Sequence, residues 1–131
     1  MAPEAFSGKV SRATDVWAFG VVLWELLTGT RPYMGMGQKE VIEGVKDNTL
    51  TLSWPDAVPM SAPIIALGRR CLSHEADKRP TFVEIVEELV AIERAIRAEL
   101  LGVPEAAPPA AEATEATAGD GSGAITGFAE L

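Results

Sequence analysis

Apolar positions along the chain fall into four helical blocks separated by polar, Gly- and Pro-marked breaks. From Asp15 to Thr28, ten of 14 residues are apolar, and they surround the helix instead of striping it. Such a segment belongs at the centre of something larger and wants neighbours on every side. Thr14 or Asp15 suits its N-cap, and Gly29 gives a C-terminal stop. A loop over Arg31–Gly37 precedes a short helix at Gln38–Lys46, with Val41, Ile42 and Val45 on one face. Asp47–Pro59, punctuated by Asn48, Trp54-Pro55 and Val58-Pro59, reads as a surface loop. Ser61 can cap a third helix through Ile64, Ile65, Leu67, Gly68, Cys71 and Leu72. Ser73–Lys78 is polar and loop-like.

The last helix is the clearest amphipathic one. It starts at Arg79-Pro80-Thr81, with Pro80 expected in the first turn, where a missing N–H is harmless. Phe82, Ile85, Val86, Leu89, Ile92, Ile96 and Leu100 follow its three- and four-residue spacing, and Gly102-Val-Pro104 ends it. No segment alternates with period two, so the fold class is all-α, with about four helices. Beyond residue 101 the composition changes to Ala, Pro, Glu, Thr and Gly, so 1–101 reads as the folded part and 102–131 as an acidic, disordered tail. Within that tail, Ile125–Leu131 regains apolar character and is a candidate docking motif.

Charge narrows the function classes. The net charge of the 131 residues is −8. Residues 102–131 hold −5 of it (Glu105, Glu112, Glu115, Asp120, Glu130), leaving −3 on the folded part. A nucleic-acid partner needs clustered Lys and Arg and is not expected. The single cysteine, Cys71, excludes an internal disulfide and a cysteine-rich zinc site, and its place on an apolar face reads as core packing. A lone His74 reads as a surface loop residue. The longest apolar stretch is interrupted by Gly20 and Glu25 and is shorter than a bilayer span, so no membrane partner is expected and the compartment expected is cytoplasmic.

Three segments in register point to a family. Met1-Ala2-Pro3-Glu4 matches the A-P-E element that closes a kinase activation segment. Asp15-Val16-Trp17-Ala18-Phe19-Gly20 through Trp24-Glu25 looks like the buried central helix of the large lobe. Cys71-Leu72 with Lys78-Arg79-Pro80-Thr81-Phe82 is similar to the entry into that lobe's last helix. Together they resemble the C-terminal half of a eukaryotic protein kinase domain, of the tyrosine-kinase-like group, whose members are mostly Ser/Thr-specific. Where the family often has Asp-Pro before Arg-Pro, this chain has Glu75-Ala76.

The resemblance assigns structural roles to three residues. Glu4 should pair with Arg79 in a buried ion pair. Asp15 would accept hydrogen bonds from the backbone of the catalytic loop in a whole kinase. Gly20 should allow a close approach. The resemblance implies ATP and magnesium as cofactors of the whole family, but none in this chain. The Gly-rich loop, the strand Lys, H-R-D-x-x-x-x-N and D-F-G lie upstream of A-P-E in the family and are not among these residues, so no catalytic, cofactor-binding or metal residue is assigned. Met1 coincides with a methionine the family often carries before Ala-Pro-Glu, and the expectation is a fragment of a protein kinase. The alternative is a non-catalytic interaction module derived from a kinase lobe. Partners would be a protein substrate or another kinase.

Overall fold

The computed structural model describes residues 1–102. Among them the elements are a 3-10 turn at Pro3–Ser7, α1 (Arg12–Thr28), α2 (Gln38–Lys46), α3 (Ala62–Cys71), a 3-10 turn at Ala76–Lys78 and α4 (Phe82–Leu101). No strand is found among the described residues. The expected all-α class, with four helices in a partial kinase-like large lobe, is what the structure shows. The tail expected to be disordered lies outside the described residues.

α1 is the hub. Val16 packs with Leu67 and Cys71 of α3 and Ile85 of α4, with Phe19 and Leu89 against them. On another side, Trp17 packs with Ala2 and Val45, flanked by Phe6, Val21, Tyr33 and Leu50. The two clusters join the N-terminal turn, α2, α3 and α4 through one helix. The third side is uncovered among the described residues. Asp15, Ala18, Val22 and Leu26 recur at helical spacing and are exposed, Leu26 at 76%. On α4, Phe82, Val86 and Val90 are likewise exposed, with the Phe82 ring edge-on to Phe19 at 6.2 Å. The demand of an all-round apolar helix for all-round partners is therefore met on two sides only.

Several helix ends differ from the sequence expectation. α1 begins earlier, capped at Ser11, and Thr14 lies inside the first turn, where its Oγ1 accepts from the Ser11 N–H at 3.0 Å. The two candidate caps therefore sit within the helix. Pro80 lies before α4 and not in its first turn. Thr81 is the cap: its Oγ1 accepts from the Glu84 N–H at 3.3 Å, while the Glu84 carboxylate accepts from the Thr81 N–H at 2.7 Å. That reciprocal pair satisfies donors a helix start leaves open, and the Thr81 N–H and hydroxyl, both donating to Glu84 Oε2, hold the Glu84 carboxyl below its usual range. Ser61 occupies the cap position of α3, but its hydroxyl bonds Val58 instead of the first turn.

Candidate functional site

Of the residues singled out in the sequence, Glu4 converges on Arg79, which follows the second 3-10 turn and precedes α4. Its guanidinium is buried, with 0% of the side chain exposed. A guanidinium has five N–H donors, and here each finds an oxygen. Nη1 donates to Glu4 Oε1 at 2.7 Å and to the Ala13 carbonyl at 2.8 Å. Nη2 donates to Glu4 Oε2 at 3.0 Å and to the His74 carbonyl at 3.2 Å, and Nε to the Ser73 carbonyl at 2.8 Å. The pairing with Glu4 is bidentate, the geometry in which Arg–carboxylate bonds are strongest. The guanidinium also lies 5.0 Å from the Trp17 ring centre, adding a cation–π contact in a desolvated place.

Glu4 sits in the N-terminal 3-10 turn with 18% of its side chain exposed. Besides Arg79 it accepts from Thr14 Oγ1 at 3.1 Å. The Arg79 hydrogen bonds dominate and hold its carboxyl down at about 2, against an opposing push from burial. The result is a cross-brace. Through one side chain, Arg79 ties the Pro3–Ser7 turn, the first turn of α1 and the 73–79 segment to the start of α4.

Asp15 is not drawn into this cluster. It lies in the first turn of α1 with its side chain exposed, on the uncovered face of that helix. Gly20 does permit close approach: a Cβ there would stand 2.9 Å from Cys71 Cβ and from Leu72 Cγ. Cys71 is fully buried, and burial pushes its thiol up to about 11, so it packs as an apolar group. His74 lies in a loop near the surface, as expected, but it is tied down there. It is half-buried, its Nε2–H donates to the Lys46 carbonyl at 3.0 Å, and its own carbonyl serves Arg79.

Sequence reasoning missed the contributions of Thr14, Trp17 and the Ala13, Ser73 and His74 carbonyls. Trp17 had a visible signal, lying directly inside the Asp-Val-Trp segment. The backbone acceptors had none, because a carbonyl's availability depends on the turn around it and not on residue type.

Chemically the cluster is a clamp. Its carboxylate accepts three hydrogen bonds, from Arg79 Nη1, Arg79 Nη2 and Thr14 Oγ1, and with the carboxyl held at about 2 it is a poor base for the Thr14 hydroxyl. Among the described residues no group of three His, Cys, Asp or Glu converges as a metal site, and no helix is long and apolar enough to cross a membrane.

Comparison with known proteins agrees with this geometry. Residues 1–89 match the family described as "Protein tyrosine and serine/threonine kinase". The chain is 41% identical over 101 residues to "Mitogen-activated protein kinase kinase kinase 11" of Homo sapiens, which covers 76% of this chain and 12% of that protein. It is 42% identical over 95 residues to "Mitogen-activated protein kinase kinase kinase 10" of Xenopus laevis, covering 72% and 9%. Over 93 residues it is 43% identical to "Mitogen-activated protein kinase kinase kinase" of Drosophila melanogaster, covering 70% and 8%. The chain thus spans about a tenth of the length of these relatives. The match over residues 1–89 runs from the Ala-Pro-Glu turn, through the helix that receives it, to the arginine that locks the two together, and by it the chain belongs to the protein tyrosine and serine/threonine kinase family.

Proposed function

We propose that this chain is the base of the large lobe of a protein Ser/Thr kinase. In the whole protein it would support transfer of the ATP γ-phosphoryl group to a hydroxyl of a protein substrate. The observation that carries the reading is the Glu4–Arg79 clamp, which anchors the end of the Ala-Pro-Glu segment to α1 and α4. In phosphoryl transfer, catalysis is almost entirely positioning and charge stabilisation. A rigid mount for the segment that precedes Glu4 is a positioning element, and this chain's residues act by holding backbone, not by moving a proton. The relatives' names describe kinases that act on mitogen-activated protein kinase kinases, and a protein of that class is the substrate we propose.

ATP and magnesium do not fit the described residues. No acidic cluster converges, and the glycines sit in caps, loops and helix contacts instead of a phosphate-cradling loop. The 131 residues alone are therefore expected to be inactive. Incubating them with radiolabelled ATP, magnesium and a mitogen-activated protein kinase kinase should give no incorporation, and label on the substrate would overturn the proposal. An antibody raised against residues 103–131 should detect a product far larger than 13.9 kDa in lysate. A single band at 13.9 kDa would turn the reading to its alternative, a non-catalytic interaction module, which the uncovered apolar faces of α1 and α4 favour.

A further inference from the structure

Away from the clamp, a cleft of about 460 Å³ opens between the start of α1, the loop after it, the segment 48–54 and the end of α3. Trp17, Tyr33, Trp54 and Leu72 line it, Arg69 supplies a positive charge, and no acidic side chain lines it. The Trp54 ring is seated on Gly68, where an added Cβ would come within 2.2 Å of it. Tyr33 and Asn48 also border the cleft, and they are the two non-glycine residues with positive φ among the described residues, both at 57°. Such conformations are uncommon outside glycine, least expected for a bulky ring, and gather at ligand clamps. An aromatic-walled cleft with one cation and no anion suits a short peptide bearing an apolar ring beside a carboxylate.

We infer that this cleft is a docking site for the chain's own C-terminal segment Ile125–Leu131, with Phe128 seated among the aromatic walls and Glu130 paired to Arg69. Three observations favour that occupant. Residues 102–131 carry five acids and no Lys or Arg, complementing the cleft. Phe128 is the aromatic residue of that stretch, with Glu130 two positions on. The reach also fits. Arg79, just before α4, stacks on Trp17 of the cleft, so the length of the 20-residue α4, about 30 Å, sets the scale of the distance from the cleft to Gly102. The 25 residues 103–127 extend to at most about 85 Å, so the stretch is long enough to bridge that distance. Tethering gives the segment an effective concentration on the order of 1 mM, so even a contact with Kd of about 1 mM would be half populated.

The test uses the full 131-residue chain, comparing Phe128→Asp, Glu130→Lys and Arg69→Glu with the unaltered protein. Acrylamide quenching of tryptophan fluorescence and the indole N–H resonances of Trp17 and Trp54 are the readouts. Each single variant should raise the freely accessible fraction of Trp54 about twofold, as release of a half-populated contact requires. The charge-swapped pair Arg69→Glu with Glu130→Lys should restore the starting signals. Unchanged tryptophan signals in Phe128→Asp would overturn the proposal. So would an effect of Arg69→Glu that the tail variants do not share, which would give the cleft to another ligand. A tail effect that fades on hundredfold dilution would give it to the tail of a second copy, and would overturn self-docking too.

Discussion

At the scale of single residues, Arg79 is the point on which most depends, because its five donors reach three separate stretches of chain. Glu4→Gln keeps the shape of the partner and removes its charge, leaving a buried guanidinium uncompensated. Losing one member of a buried pair typically costs about 3–5 kcal/mol, and the lower end is expected here because Glu4 retains some solvent contact. Urea unfolding followed by far-ultraviolet circular dichroism would measure it. The same pair makes a pH prediction. The Glu4 carboxyl is held at about 2 when folded, against an ordinary 4.5. The unfolded chain therefore binds its proton first as pH falls, and the stabilisation is whole above about pH 4.5 and lost on the way to about 2. Melting temperatures of the parent and Glu4→Gln should differ at pH 7 and converge toward pH 2. A constant gap across that range would mean the ion pair contributes nothing.

At the scale of elements, one glycine sets a helix contact and one cap sets a helix start. Gly20→Ala would push a methyl against Cys71 and Leu72 at 2.9 Å, where α1 and α3 cross. Overpacking of this kind costs about 1–3 kcal/mol, read as a lower urea midpoint with an unchanged slope. Thr81→Ala removes the cap of α4 and should cost about 1 kcal/mol, with Thr81→Ser retaining most of the stability. The helices themselves were legible in the sequence: α2 at Gln38–Lys46 follows its apolar spacing residue for residue. Their starts were less so. Ser11, Thr14 and Asp15 are all good capping residues, and which one caps is settled by how Thr14 is drawn toward Glu4. Pro80 is excluded from α4 by Thr81, whose reciprocal bonding with Glu84 sets the first turn.

At the scale of the whole molecule, the uncovered stripes decide behaviour in solution. Val22 and Leu26 on α1, and Phe82, Val86 and Val90 on α4, leave apolar rows exposed among the described residues, and exposed apolar surface favours association. The 131-residue chain should therefore self-associate, as judged by light scattering on a sizing column. Replacing Val22 and Val86 with Glu should shift it toward the monomer while leaving the helical circular dichroism intact. Each position is already exposed, at 50% and 57%, so the folding cost should stay within about 0.5 kcal/mol. Loss of helix instead would mean these side chains are part of the core.

By itself the sequence determined what is local or carried by residue type: four helices, their apolar faces, the charge division between residues 1–101 and 102–131, and the three motifs that place the chain among protein kinases. It also pointed to Glu4 and Arg79, 75 positions apart, through family resemblance and not through spacing. Only the tertiary structure decided how that pair is completed. The carbonyls of Ala13, Ser73 and His74 become acceptors because the turns around them aim them inward, and Trp17 meets the guanidinium because α1 lies beneath it. Backbone groups are alike in every residue, so their roles are set by where the chain folds and cannot be read from the letters along it.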